Sequence, residues 1–377
     1  MPPDLALTQS LVTWYPRLIK LALPQHASLK SMAQAELMEL ALGIRHLSRG
    51  FTRQRELAGK PYLRLQENLA PYLLYFWPVS YAQTYLILKG FVGSEHLKNA
   101  SILDVGSGAA PSALAALELG AQHAVITDQS RAATGLGLKL AQMAGKSIYP
   151  QFWDSTSAQR PPPGQFDLII LSHTLNELWS KHPHRINLRR ELLGRLAAKL
   201  KPHGRLVIIE PALKHLSREL IALRDSLLAQ GMLAVLAPCL SQNPCPCLRL
   251  AVASCQAEFN WSPPSFLTRL AHLARLGKES LVCSFQIFGR RQDGLPSFDH
   301  NTFRVVSERL VAKTGRSRYL ICGLQGRISL QIGRDATPQT TSVFKRLKRY
   351  DLIRVKNAHL DDRRCNLAKE STLKIIT

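Results

Sequence analysis

SILDVGSGAAPSALAALELG, residues 101–120, decides how this chain is read. A short apolar run carries Asp104 near its end, Gly106 and Gly108 follow, and an alanine- and leucine-rich helix then runs until Gly120 stops it. Glycines at that place let the backbone turn sharply from strand to helix and let a ligand approach the main chain closely. Twenty residues past Gly108, Asp128 closes the next apolar run, HAVITD. A carboxylate there can accept hydrogen bonds from ribose hydroxyls.

Outward from this loop, strand and helix alternate. The helix RAATGLGLKLAQMAG leads to a third strand before FWDS, whose Asp154 either holds an adenine amine or is a surface loop acid. After RPPPGQ comes FDLIILSH, apolar enough to be buried on both faces, and INLRRELLGRLAAKL and KPHG lead into RLVIIEP. This alternation predicts an α/β fold with a doubly wound parallel sheet. LKHLSRELIALRDSLLAQG is a further helix, and LVCSFQIF, residues 281–288, is the expected last core strand. A dinucleotide fingerprint wants a third small residue where Pro111 stands, to pack beneath a pyrophosphate. S-adenosylmethionine has no phosphate, so that requirement lapses. From ILDVGSG through FDLIILS to LKPHGRLVIIEP the chain resembles the class I (Rossmann-like) S-adenosylmethionine-dependent methyltransferases. Enzymes of that class that methylate amino groups in nucleic acids carry an Asn/Asp-Pro-Pro-aromatic run after the fourth strand. Here the place reads SHTLNELW, whose His173, Asn176 and Glu177 either orient an acceptor or cap the following helix.

A chain of 377 residues exceeds what one core usually supports. Residues 1–95 read as a helical N-terminal region, with Ser28 as an N-cap before LKSMAQAELMELALGIRHL. PYLLYFWPVSYAQTYLIL, residues 71–88, lacks charge, but Pro78, Gln83 and Thr84 interrupt it, so a buried helix pair broken at Pro78 is expected rather than a membrane span. Residues 96–290 form the methyltransferase-like domain, with a cysteine-rich loop at 237–265. Residues 300–356 form a small basic β module with a hairpin turning at Gln325-Gly326, and 357–377 a polar tail. No secretory signal is visible at the N-terminus. A cytoplasmic monomer is the default expectation, with the mitochondrial matrix as alternative.

Four of the seven cysteines fall within APCLSQNPCPCLRLAVASC, residues 237–255. Disulfides are disfavoured in a reducing compartment, and a nucleophile needs only one thiol. A loop of thiols completed by a distant one suits an iron–sulfur cluster, with zinc and simple packing as alternatives. From EPALKHLSRELIALRDSLLAQGMLAVLAPC onward the chain is similar to the ribosomal small-subunit methyltransferase-like proteins of mitochondria and their bacterial relatives. The likeness extends over about residues 40–356 and includes SHTLNEL. It implies a 4Fe-4S cluster on Cys239, Cys245, Cys255 and Cys322, the last tying the β module to the core domain. It also implies a role in small-subunit assembly or translation by binding ribosomal RNA. The chain departs from the family pattern in Leu240-Ser241 after the first Cys-Pro position, in Ser254 before the third cysteine, and in an extra Cys247 that competes with Cys245 as ligand. Cys283 is expected in the core and Cys365 free in the tail.

The 49 basic and 26 acidic residues give a net charge of +23, which self-repels unless a polyanion binds. FKRLKRYDLIRVK, residues 344–356, brings Lys345, Arg346, Lys348, Arg349, Arg354 and Lys356 together with Phe344 and Tyr350, an expected RNA contact with base stacking. Whether the chain binds RNA as an assembly factor or methylates it stays open. A zinc-containing small-molecule methyltransferase, the remaining alternative, would leave the charge unexplained.

Overall fold

The structure, a computed structural model, describes residues 4–52, 65–251, 253–277, 279–294, 297–313, 315–361 and 363–376. The chain forms two compact units. One runs to Leu213 and includes Phe259–Val282; the other holds Lys214–Glu258 and Cys283–Thr377. The helical N-terminal region therefore shares a unit with the parallel strands, and the cysteine loop shares one with the β module. Cys322 and the loop cysteines thus lie in the same unit, so the bridge between domains expected from the sequence is not what the chain builds.

In the first unit, β1 (Ser101–Val105), β2 (His123–Asp128), β3 (Ile148–Phe152), β4 (Phe166–Ser172) and β5 (Leu200–Pro211) run parallel in the order β3-β2-β1-β4-β5. β1 is buried along its whole length, which is why its sequence is an apolar run rather than an alternation. β6 (Leu233–Ala237) of the second unit pairs antiparallel with that unit's part of β8 (Ser280–Arg290), through Ile287–Arg290, and β7 (Ala257–Asn260) lies between them in sequence. The expected class I methyltransferase fold is present.

The N-terminal helices Leu5–Ala22 and Gln34–Phe51 bury Leu11, Trp14, Leu18, Leu40, Ile44 and Leu47. Ser28 caps only the short turn Leu29–Ser31, whereas Gln34–Phe51 begins at Ala33, whose N–H donates to Glu36. The chargeless run does not break at Pro78. A π-helical turn, Tyr72–Phe76, precedes it, and the proline falls in the first turn of Trp77–Ile87, where its missing N–H costs little. Among the described residues no helix is long and apolar enough to cross a membrane.

The second unit carries another sheet: β9 (Thr302–Val305), β10 (Leu310–Val311), β11 (Ser317–Gly323), β12 (Gly326–Ile332), β13 (Leu352–Lys356), β14 (His359–Leu360), β15 (Arg364–Leu367) and β16 (Thr372–Ile375). Its order is β14-β15-β12-β11-β9-β13-β16, with β10 on β11. The hairpin turns on Leu324-Gln325, one residue earlier than expected, because Gly326 pairs with Gly323 at a φ of +104°. The expected polar tail carries β14 to β16: Cys365, Leu367 and Leu373 enter the core beside Phe303, Tyr319, Ile321 and Leu330. Cys365 is a free thiol, but a buried one, as is Cys283.

Candidate functional site

A cleft of about 560 Å³ opens at the C-terminal ends of the parallel strands, in the range of a small-molecule site. Asp104, Gly106, Gly108, Asp128, Trp153, Asp154, His173, Asn176 and Glu177 all line it. Every cofactor and catalytic candidate read from the sequence therefore reaches one cavity. Gly106 (φ +65°) and Gly108 (φ +55°) both adopt the left-handed backbone. A Cβ on Gly106 would stand 2.4 Å from Thr174 Cγ2, so the turn after β1 and the turn after β4 touch with no room for a side chain. The N–H of Gly108 donates to Asp128 Oδ2 at 3.0 Å, and Ser130 N–H to Oδ1 at 2.8 Å. Asp104 accepts Ala113 N–H at 3.0 Å. Burial pushes its carboxyl up to about 7, the Ala113 N–H opposes this, and the nearby Asp128 adds to it. Burial raises Asp128 as well, against its backbone donors. Asp154 Oδ1 takes the Thr156 N–H (2.9 Å) and hydroxyl (2.6 Å), a turn that fixes it at the cleft wall.

Sequence reasoning missed the contribution of the N-terminal helices. Trp77 Nε1 donates to the Ala109 carbonyl at 3.0 Å, and the hydroxyl of buried Tyr72 would lie 2.9 Å from a Cβ on Gly108. Gln83 Nε2 donates to the Val282 carbonyl, leaving Oε1 to accept from His173 Nε2 at 2.8 Å. The polar handles in PYLLYFWPVSYAQTYLIL were the available signal, since a buried Tyr, Trp or Gln needs a partner. No helix follows His173 directly: residues 175–181 form turns, and the next helix is Arg185–Ala197. Asn176 instead closes the turn, its Nδ2 donating to the His173 carbonyl and its N–H to Glu210 Oε2. Glu210 is itself buried and pushed up to about 8, with Arg189 opposing.

An adenosyl ligand can be tested against two buried polar atoms that lack partners in this cleft, Trp153 Nε1 and Ser172 Oγ. One is a donor and the other both donor and acceptor, as a purine and a ribose require. With Asp128 and Asp154 for hydroxyls and an amine, and no lysine or arginine lining the cleft among the described residues, the lining fits S-adenosylmethionine.

A second, smaller cavity in the other unit is lined by Cys239, Cys245, Cys247, Cys255 and Cys322, with Arg304, Arg327 and Tyr350. One face of the helix Lys214–Ala229 builds the loop around it. Ser217 Oγ donates to the Cys255 carbonyl (2.7 Å) and accepts its N–H (3.1 Å). Arg218 reaches the carbonyls of Cys247, Leu248, Leu250 and Ala253 at 2.8–3.2 Å. Arg224 takes those of Ser241 and Asn243, and Asp225 Oδ2 accepts the Cys245 N–H at 2.9 Å. Arg327 donates to Cys247 Sγ at 3.0 Å, and Arg304 to the Pro238 and Tyr350 carbonyls. Burial pushes Cys255 up to about 12 and Cys322 higher. Cys247 is pulled below the usual thiol range by the hydrogen bond from Cys245, with Arg327 helping against burial. The donor chemistry, five thiols ringed by guanidinium groups, fits a thiophilic group of net negative charge. Among the described residues no group of three or more His, Cys, Asp or Glu side chains is placed to hold a metal ion.

Of the basic run, Lys345, Arg346, Lys348, Arg354 and Lys356 are exposed. Arg349 is half-buried, donating to the Gln256 carbonyl at 3.3 Å and facing Glu308, and Arg354 faces Asp299 at 3.4 Å. The stacking role expected of Phe344 and Tyr350 is not available, because both are buried. Phe344 packs edge-on against Tyr319, and Tyr350 contacts Cys255 Sγ at 3.6 Å.

Solved structures similar to this chain include three methyltransferase-type proteins. One, from Pyrococcus horikoshii and provisionally named an RNA methyltransferase, is 10% identical with a TM-score of 0.36 and 60% of this chain and 84% of that one covered. A methyltransferase from Pyrococcus furiosus is 15% identical, with a TM-score of 0.37 and coverage of 55% and 81%. A ribosomal protein L11 methylase from Lactobacillus delbrueckii subsp. bulgaricus is 17% identical, with a TM-score of 0.33 and coverage of 55% and 79%. At these scores they add nothing to the fold read from the strand order. No curated protein matches the sequence. The family described as mitochondrial small ribosomal subunit Rsm22 matches residues 66–333, from the helices over the glycine loop to the hairpin bearing Cys322. With more than two thirds of its length so matched, the chain belongs to the Rsm22 family of the mitochondrial small ribosomal subunit.

Proposed function

We propose that this protein binds S-adenosylmethionine in the strand-end cleft, binds RNA of the small ribosomal subunit, and supports that subunit's assembly or translation. The observation that carries the reading is the family match spanning both the glycine loop and the cysteine loop. The family's description favours the mitochondrial matrix over the cytoplasm. Asp128 would receive the ribose hydroxyls and Asp154 the adenine amine, with Trp153 and Ser172 supplying the polar atoms that now lack partners. The bound donor supplies an electrophilic methyl group. His173, oriented by Gln83, and Glu177 would flank an acceptor, holding or taking a proton as the methyl group arrives.

Cys239, Cys255 and Cys322, with Cys245 or Cys247, would hold a 4Fe-4S cluster whose role is to fasten the cysteine loop to β11. Five thiols line one cavity there, and thiolates are the ligands such clusters take. The cluster's net negative charge would also answer Arg304 and Arg327. Lys345, Arg346, Lys348, Arg354 and Lys356, with part of Arg349, would contact phosphates.

Incubation with methyl-labelled S-adenosylmethionine and small-subunit RNA tests the reading. Stoichiometric label in the RNA, lost in Gly106→Arg, makes the protein a ribosomal RNA methyltransferase. RNA binding and S-adenosylmethionine binding without label make it an assembly factor, and absence of both overturns the proposal.

A further inference from the structure

Among the described residues only two aromatic side chains stand exposed, Tyr149 (55%) and Phe152 (52%), and both lie on β3. β3 ends the order of the parallel strands, so its outer edge is unpaired. Ile148 and Trp153 are buried on either side of the two aromatics, so the strand packs inward without them. Pro150 between them has no N–H, which blunts the edge against pairing with another strand. The exposed aromatics therefore stand outside the packed interior, and the edge is a poor template for a protein strand.

Both rings have a neighbour, and that of Phe152 is cationic. Arg131 Cζ stands 4.9 Å from the centroid of Phe152, and the His123 ring lies 6.0 Å from that of Tyr149. Rings that offer a face, beside a cation that can meet a phosphate, are what single-stranded nucleic acid uses to bind without regard to sequence. The next residue, Trp153, lines the cofactor cleft, as does Ser130, which caps the helix that Arg131 begins. The edge of β3 thus runs to the rim of that cleft. Tyr149 and Phe152, an odd number of residues apart, flank the edge from opposite sides of the strand.

We propose that the edge of β3 is a stacking platform for single-stranded RNA, with Phe152 and Tyr149 taking bases and Arg131 a phosphate, leading the strand to the cleft. The inference rests on the RNA-binding reading above, and it moves the stacking contact from the C-terminal basic run, whose aromatics are buried, to a strand beside the cofactor site.

The test is fluorescence anisotropy with a labelled single-stranded RNA across a potassium chloride series, using the full chain. Tyr149→Ser/Phe152→Ser, Arg131→Gln and Lys345→Gln/Lys348→Gln are compared with wild type, and all five positions are exposed, so the fold is spared. The aromatic double variant is expected to bind at least roughly 30-fold more weakly at every salt concentration with an unchanged salt slope. Arg131→Gln is expected to lower the slope by about 0.7. An aromatic double variant that binds like wild type overturns the platform and leaves RNA binding standing. A wild-type protein that binds no RNA at low salt removes the RNA reading and the platform together. Capture of anionic lipid vesicles that depends on Tyr149 and Phe152, with RNA affinity unaffected, overturns the platform in favour of a membrane surface.

Discussion

The N–H of Gly108 donates to Asp128 Oδ2 at 3.0 Å, so the carboxylate that ends β2 braces the glycine loop that follows β1. The same side chain must hold the loop and face a ligand. Asp128→Asn places an amide where two N–H groups need acceptors. S-adenosylmethionine affinity is expected to fall at least tenfold in calorimetry, with a loss of about 1–3 kcal/mol in folding stability by chemical denaturation. A variant that keeps wild-type affinity would remove Asp128 from the ligand site.

Gly106→Ala meets two obstacles, a positive φ and Thr174 Cγ2 at 2.4 Å. The backbone and the clash together should destabilise the protein by roughly 2–4 kcal/mol. Thr174→Ala relieves the clash but not the dihedral. In a double-mutant cycle it should therefore restore part of the loss, giving a coupling of about 1 kcal/mol or more. Strict additivity would show that the turns after β1 and β4 do not touch.

Glu210 and Asp104 set a pH dependence. Both are acids whose folded values are raised, to about 8 and about 7, by burial. An acid with a raised folded value contributes stability that is complete below its unfolded value and is lost as pH rises through the folded one. The protein's melting temperature should therefore gain a component that declines between about pH 5 and pH 8. Glu210→Gln should remove its share of that decline. A Glu210→Gln profile parallel to wild type over this range would show that Glu210 is ionised throughout.

Arg218 holds four carbonyls of the cysteine loop from one guanidinium group. Arg218→Ala should raise amide exchange across residues 241–255 and cost about 2–4 kcal/mol. Arg218→Lys, with a single ammonium, should recover only a minor part. Exchange unchanged in both variants would mean that the loop is ordered by something other than the helix face.

Protein purified without oxygen should carry iron and sulfide, roughly four of each, and lose them in Cys239→Ser, Cys255→Ser and Cys322→Ser. Cys245→Ser and Cys247→Ser should separate, one bleached and one coloured, because the two thiols compete for one place. A colourless protein with one zinc would contradict the cluster and keep the metal.

The parallel strands and the cleft residues were legible because their signals are local. Asp104, Gly106, Gly108 and Asp128 fall within 25 residues, in apolar runs long enough to mark buried strands. The rest depended on distance. Arg218 meets carbonyls about thirty residues away, and nothing near it in sequence announces the contact. Phe344 and Tyr350 looked exposed because charged residues surround them, yet the helix Pro338–Arg346 and the turn after it direct both inward. The last strands were missed because they bury only Cys365, Leu367 and Leu373, too few alternations to register as a period. Pro78 read as a break because a π-helical turn that admits a proline leaves no mark in sequence.

Titration of the purified protein with S-adenosylmethionine by calorimetry, beside Gly106→Arg, tests the central claim most directly. The account predicts one site per chain in the wild type and none in the variant, whose side chain has no room beside Thr174 and must displace the glycine loop. A wild-type protein that takes up no S-adenosylmethionine at millimolar concentration would contradict it.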